Sequence, residues 1–554
     1  MKFSKLTLAI AATLTAGASF SAMAMDLYVD TKTKQIYAEP GRGRVLMGAF
    51  EKVGSSAPAF VPTPAAAPAP AAEIAAIKQD LELKTNEIKA LSEQSAETAL
   101  VKTKLGDKGL EIETKDGNFK IAMGGRLQID GQDNLNDHTV PQTAQVPNPQ
   151  TGRLNNGVGV RRGRLHMEGT LYKDYDFKFE YDFVRGSGTN AAGITDAWME
   201  YTGFKPVSVT IGQFKEPFSL ESVTSNRYLT FNERSLANNA FVEWANPYLL
   251  GASVQTFAER YTGRLALQAE PIGNGNYANN SSTNGNGNAN RNDSTNANGQ
   301  SGNSSYGVTG RATFLPIFNS KTELLHLGAA GSYRKVNNNS LTGVNNSTTS
   351  AGMGFASQVG NVDRSAWANT GSLTDPTTGR VLDSFVRAGA EVAGIYGPFS
   401  LQAEYMRTQL NGNKYDSSDH LDGYYAYVSY FLTGESRSYD QKKGAFGRQK
   451  PNRNFDFKKG GWGAWELATR FDALDMNTTH VNGGNLSTGT VALNWYLNPH
   501  VRMMLDYEHV ITNKVNNTGF INAPGSAAIN ANSNLAATSG LNPDVFMLRT
   551  QFDW

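Results

Sequence analysis

The chain has 554 residues, a formal charge of +1, 56 glycines and no cysteine. The balanced charge offers nothing that a nucleic-acid backbone would hold, and without cysteine the fold cannot be stapled by disulfides. Beyond the first residues no stretch reaches the roughly 20 apolar residues of a membrane helix, so the chain is either soluble or crosses a membrane as strands.

Lys2 and Lys5 precede an apolar stretch, Leu6–Phe20, and then Ser-Ala-Met-Ala at 21–24. This pattern predicts a secretory signal over 1–24, cleaved after Ala24, which takes the formal charge to −1. Residues 25–56 form a short periplasmic segment with two strand-like runs and a Pro-Gly turn. The Pro/Ala stretch at 57–72 is an extended, fairly stiff linker. Over 73–105, Ile74, Ile77, Leu81, Ile88 and Leu91 take heptad a and d positions, with Lys84 at one d. That predicts a short α-helical coiled coil, and Ile at a and d leans toward trimers. A lone amphipathic helix lying on another surface is the alternative.

From 110 to 554 the texture changes. In YDFKFEYDFV (175–184), Tyr175, Phe177, Phe179, Tyr181 and Phe183 alternate with Asp176, Lys178, Glu180 and Asp182. FKIAMGGRLQID (119–130) and RRGRLHMEGTLY (161–172) repeat the form. About sixteen such segments follow one another, most near the length a tilted strand needs to cross a bilayer. Some links are tight, at 204–207, 396–399 and 497–500, and others are long and polar, at 273–305, 337–380 and 512–542. Short turns at one end and long loops at the other are the outer-membrane pattern. The expected fold is an all-β transmembrane barrel of about 16 antiparallel strands, preceded by the periplasmic linker and helix. Its aromatic and aliphatic face meets lipid and its charged face a water-filled lumen, because only a closed sheet satisfies its backbone inside hydrocarbon. A secreted β sandwich, the competing arrangement, would not crowd aromatics at strand ends.

Two stretches, DAWMEYTGFKPVSVTIGQFKEPFSLESVTSNRYLTFNERSLANNAF (196–241) and YFLTGESRSYDQKKGAFGRQKPNRNFDFKKGGWGAWELATRFD (430–472), resemble the phosphate-selective porin family of Gram-negative outer membranes. The linker and heptad segment most resemble its dicarboxylate-porin branch. The resemblance implies a homotrimer of sixteen-stranded barrels in the outer membrane, each with a loop folded into its own lumen. It places the segment after the GQF strand inside the barrel.

Passage through a pore needs fixed charge at a narrow place rather than a nucleophile. The alternation turns Lys120, Arg126, Arg162, Arg164, Lys178, Arg264, Arg334, Arg387, Arg470, Arg502 and Arg549 toward the lumen. Guanidinium is always charged and grips carboxylate or phosphate through two parallel hydrogen bonds. The same face carries Glu168, Asp176, Glu180, Asp182, Glu270, Glu391, Glu404, Glu466, Asp472, Asp506 and Glu508, so many arginines can equally brace the wall. The constriction is expected in 215–243, which carries Lys215, Arg227 and Arg234. Arg227 and Arg234 are the first candidates for solute contact, with Arg162 and Arg164 on the facing wall. The glutamates of that segment favour small organic dianions over strict phosphate selectivity. The scattered histidines have no metal-ligand spacing, no G-x-S-x-G elbow is present, and no cofactor or enzymatic activity is expected. The leading reading is a passive channel for small anionic solutes, dicarboxylates or phosphate-like anions. The rival is a structural tether that joins the outer membrane to the cell wall or an envelope protein through the periplasmic coiled coil.

Overall fold

The computed structural model describes residues 25–30, 36–37, 44–50, 78–90, 101–135, 154–184, 193–245, 247–269, 306–336, 353–364, 366–374, 379–514 and 540–554. The expected signal, the Pro/Ala linker, Glu270 and heptad positions 74, 77 and 91 lie outside them. The chain divides into two compact units, 1–96 and 97–554. In the first, β1 (Met25–Asp30) pairs antiparallel with both β2 (Ile36–Tyr37) and β3 (Arg44–Phe50). A helix runs over 78–90, exposed along its length. Residues 101–106 are already strand, so the helical stretch expected over 73–105 ends earlier.

The second unit opens with a hairpin, β4 (Val101–Gly106) and β5 (Gly109–Thr114). The barrel strands begin with β6 (Phe119–Asn134), β7 (Gly157–Leu171), β8 (Tyr175–Asp182), β9 (Gly193–Tyr201) and β10 (Val207–Lys215). They continue with β11 (Tyr248–Phe257), β12 (Tyr261–Ala269), β13 (Tyr306–Ser320) and β14 (Glu323–Lys335). A small pair, β15 (Ala356–Gln358) and β16 (Ala366–Asn369), precedes β17 (Val381–Tyr396), β18 (Phe399–Asn413) and β19 (His420–Phe431). A second pair, β20 (Tyr439–Asp440) and β21 (Ala445–Phe446), precedes β22 (Ala464–Asn477), β23 (Asn482–Asn498), β24 (Val501–Lys514) and β25 (Asp544–Asp553). Leaving out the two small pairs, the sixteen strands from β6 to β25 close antiparallel. The seam runs from Val545↔Asn134 to Asp553↔Arg126.

The seam depends on Gly124 and Gly125. Trp554 and Gly125 exchange both backbone hydrogen bonds, at 3.0 and 3.1 Å. A Cβ on Gly124 would stand 2.3 Å from the Trp554 carbonyl oxygen, and one on Gly125 2.5 Å from its ring. The last residue therefore closes the barrel only against bare backbone.

Period 2 sorts the wall as the sequence implies. On β8, Tyr175 and Phe179 are exposed while Glu180 and Asp182 are buried. On β6, Met123, Leu127 and Ile129 face out, and Arg126, Gln128 and Asp130 face in. One part of the expectation fails: the inner wall is not charged along its whole height. Toward the end with the long loops, Leu382, Phe385, Met406, Leu410, Leu474 and Val545 point inward. They pack with Phe241, Phe355 and Trp367 from segments folded into the barrel mouth. Inward loops need a dry surface to dock on, and apolar wall residues supply it.

The other end carries connections of two to five residues between β7 and β8, β9 and β10, β11 and β12, β13 and β14, β17 and β18, and β23 and β24. The link from β19 to β22, residues 432–463, is at this same end and is far longer. Its pair β20–β21 turns into the barrel, where Tyr439, Ala445 and Phe446 pack with Leu220, Leu324 and Ile395.

Candidate functional site

Residues 216–245 lie against the inner wall, and the wall reads their backbone by charge. Wall carboxylates accept N–H groups. Glu404 takes Leu220 and Glu221 at 2.9 and 2.8 Å, Asp506 takes Asn232 at 2.7 Å, and Asp472 takes Leu236 at 3.2 Å. Wall arginines donate to carbonyls. Arg502 reaches Leu229 at 2.7 Å, Arg470 reaches Glu233 at 2.9 Å, Arg387 reaches Phe241 at 2.8 Å and Arg334 reaches Ala245 at 3.0 Å. Arg549 donates to the Asn232 carbonyl. A polypeptide without a ladder of its own thus has its polar groups satisfied inside the barrel. Two short helical turns, Leu220–Val223 and Leu236–Asn238, begin at Ser219 and Ser235, whose side chains accept from Ser222 and Asn238.

The candidate residues divide by their partners. Arg126 pairs with Glu180 at 2.7 Å and meets Asn226. Arg164 pairs with Glu180 at 2.8 Å and Asp182 at 2.7 Å. Arg387 pairs with Glu216, and Arg470 with Asp472 at 2.5 Å. Lys215 meets the Ser222 carbonyl at 2.7 Å and Glu243 at 3.2 Å. Arg234 spends its donors on its own segment, on the Glu221 and Thr224 carbonyls at 3.2 and 3.0 Å and on Glu243 at 3.1 Å. Arg162 differs. It donates to Gln128 at 3.0 Å and makes no ion pair within 4 Å among the described residues. Arg227 touches His166 at 3.1 Å, and its nearest carboxylates, Glu180 and Asp553, stand 3.9 Å away.

Arg227 also lines a cavity toward the turn end, together with Arg437, Arg448, Arg502 and the single carboxylate Glu466. Tyr228, Phe431, Phe446 and Tyr496 share its wall. Glu466 accepts from the Tyr496 hydroxyl at 2.7 Å and from Asn494 at 3.1 Å. Arg437 lies over the Phe446 ring, 3.4 Å from its centroid, and donates to Gln402 at 3.3 Å. Arg448 pairs with Asp553 at 2.7 Å. Arg437 and Arg448 belong to the long link 432–463. Sequence reading missed both, because nothing in period 2 applies to a connection. The signal available was its length, since a turn of that size at the tight-turn end has to go somewhere.

Arg161 was missed for another reason. Gln128 pairs with Arg162 and Ile129 with Val160, so Arg161 is the extra residue of a bulge. Strict alternation turns it outward; the bulge turns it in. Elsewhere, Asp416, Asp419 and His480 bring three donor atoms within 4.8 Å of one another, a grouping that spacing in the sequence cannot reveal. Both Asp419 oxygens already accept, from Thr478 at 2.6 Å and from the Asp416 N–H at 2.9 Å, with His480 Nδ1 at 2.8 Å. The trio ties two loops together.

The family described as phosphate-selective porin O and P matches residues 122–532. Porin O of Pseudomonas aeruginosa PAO1 is 29% identical over 426 residues, covering 74% of this chain and 87% of that protein. An uncharacterized protein of Caulobacter vibrioides is 28% identical over 399 residues, covering 71% and 68%. Among solved structures, Salmonella typhi OmpF in complex with daunomycin aligns with a TM-score of 0.44 at 10% identity, over 80% of this chain and all of that one. The sixteen-stranded barrel and the match over most of its length agree: the chain is a member of the phosphate-selective porin O and P family of outer-membrane proteins.

Proposed function

We propose that the chain forms a passive channel for small anionic solutes, with segment 215–243 as its constriction and dicarboxylates as the preferred class. The observation that carries this reading is the turn-end cavity, where Arg227, Arg437 and Arg502 face one carboxylate, Glu466, and a fourth guanidinium, Arg448, is already paired with Asp553. Such a surplus favours anions, and arginine grips carboxylate and phosphate alike. Arg227, Arg502 and Arg162 are the groups assigned to solute. Arg126, Arg164, Arg234, Arg387 and Arg470 are assigned to holding the constriction in place. The rings of Tyr228, Phe431, Phe446 and Tyr496 favour a dicarboxylate, because its carbon chain can lie on apolar surface while its ends meet arginine. Phosphate has no such middle. Self-association as a homotrimer is supported by the helix over 78–90, which leaves Leu81 and Ile88 exposed and in need of a partner.

Planar-bilayer recording tests the reading. The channel is expected to prefer chloride to potassium under a salt gradient, and succinate is expected to block at lower concentration than phosphate. A cation preference sinks the anion assignment, and equal block by the two solutes removes the dicarboxylate preference alone.

A further inference from the structure

The long link 432–463 does two things. Its first half enters the barrel, and its second half folds back against the outer surface at the turn end. There Phe455 donates its N–H to Leu497 at 2.6 Å and sets its ring edge-on to Trp495, with centroids 5.1 Å apart. Trp465 and Trp495, paired in register on β22 and β23, stack at 5.0 Å, and both indole N–H groups donate to the Trp462 carbonyl, at 3.1 and 2.8 Å. The tip is rigid. Asp456 and Gly461 exchange backbone hydrogen bonds at 3.0 Å, and Asp456 Oδ1 accepts from the N–H groups of Lys458 and Lys459. A Cβ on Gly461 would stand 2.1 Å from the Asn454 carbonyl oxygen, so the turn closes without slack.

This rigid turn exposes 86% of Phe457 and 68% of Trp462. Rings held in water with no partner mark a surface meant for something else. Beside them stand Arg453, Lys458 and Lys459 against one acid, Asp456, which lies 3.9 Å from the Lys459 ammonium. Arg453 donates to the Lys459 carbonyl at 2.9 Å, which keeps its charge over the same turn. Outward tryptophans at strand ends sit at the membrane–water boundary. A flap built on that pair is at headgroup depth, and its excess positive charge complements an anion there. The turn end of an outer-membrane barrel faces the periplasm, whose leaflet is glycerophospholipid.

We infer that the flap 453–462 binds the anionic headgroup of a glycerophospholipid, with Arg453, Lys458 and Lys459 on the phosphate and Phe457 and Trp462 inserted beside the acyl chains. The site anchors the link from outside while its other half occupies the lumen.

The full-length protein in detergent, titrated with phosphatidylglycerol or phosphatidylcholine, is read by native mass spectrometry for retained lipid. Wild type is expected to favour phosphatidylglycerol about tenfold. Lys458→Gln with Lys459→Gln should bring the ratio near one, and Phe457→Ser should lower retention of both lipids. All three positions are exposed, so the barrel itself should be unaffected. Equal retention of the two lipids by wild type overturns the site, as does a preference that survives the double lysine variant. Disulfide capture of Phe457→Cys by a second copy of the chain in native membranes also overturns it, by showing a protein partner instead.

Discussion

Arg161 holds Glu233 through two parallel hydrogen bonds, from Nε to Oε1 at 2.8 Å and from Nη2 to Oε2 at 3.0 Å. This joins a bulge in the wall to the middle of the infolded segment. Glu233 also receives Arg549 at 2.8 Å, so one carboxylate collects two guanidinium groups from opposite sides of the barrel seam. Arg161→Ala removes the fork and leaves Arg549 in place. The expected loss is about 2 kcal/mol at this joint, seen as excess open-channel noise with little change in mean conductance. A silent trace indistinguishable from wild type counts against the clamp.

Arg162 and Arg164 are two residues apart on the same inward face and should behave oppositely. Arg164→Ala leaves the buried Asp182 without its ion pair, while Glu180 keeps Arg126 at 2.7 Å, and should cost about 3 kcal/mol. Arg162→Ala leaves no carboxylate unpaired. It should lower anion preference while changing stability by less than about 1 kcal/mol. The temperature at which the unheated folded band disappears on a detergent gel, measured beside the reversal potential, separates the two. Equal effects of both variants on stability would remove the distinction between bracing and solute-facing arginines.

The same split governs Arg227 and Arg234. The two are equivalent in the sequence, seven positions apart on one segment. In the fold Arg227 faces the cavity, and Arg234 is locked onto the carbonyls of Glu221 and Thr224. Arg227→Ala should weaken block by a dicarboxylate roughly tenfold at constant conductance. Arg234→Ala should alter conductance itself, because the segment loses its internal tie. Identical solute block in wild type and Arg227→Ala removes that residue from the solute path.

How much of this was readable from the chain follows from what each signal measures. Phe179 out and Glu180 in is a local fact, fixed by period 2, and it is legible wherever a strand is regular. Arg161 breaks the rule because a bulge depends on the partner strand, which local sequence does not contain. Arg162 and Arg164 share face, strand and residue type. Only the residues that β8 brings across, Glu180 and Asp182, tell them apart. The apolar upper wall was hidden for a related reason: Phe385 and Met406 look like lipid-facing residues until loops from elsewhere cover them.

At the loop end, Asp419 is buried, which raises its pKa, but the Thr478 hydroxyl, the Asp416 N–H and His480 more than offset this and hold it below its ordinary value. A depressed carboxylate stabilises fully above its unfolded pKa of about 3.9 and stops doing so as pH falls through its folded value. Hydrogen-exchange protection at 414–419 and 478–481, taken relative to the free-peptide rate at each pH, should therefore hold at neutral pH and be lost only in acid below about pH 3.9. Asp419→Asn should exchange quickly at neutral pH as well. Protection of these loops in the variant at pH 7 sinks the assignment of Asp419 as their tie.

The inner half of the link 432–463 can be cut without touching a strand of the barrel wall. Tyr439 meets His326 at 2.7 Å, Phe446 donates its N–H to Thr224 at 3.3 Å, and Arg311 reaches the Lys443 and Gly444 carbonyls at 3.1 and 2.7 Å. Replacing 438–447 with a short polar turn removes these contacts. Arg311 keeps Glu391 at 2.6 Å, so no buried charge is abandoned in the wall. The barrel should still form, because every wall ladder from β17 to β23 is intact and only the separate β20–β21 pair is lost. Single-channel conductance should rise about twofold, since the lumen loses material near the cavity of Arg227 and Arg502. Discrimination between succinate and phosphate should fall at the same time, because Phe446 leaves with the excised residues. Unchanged conductance would show that solute passes by another route through the barrel.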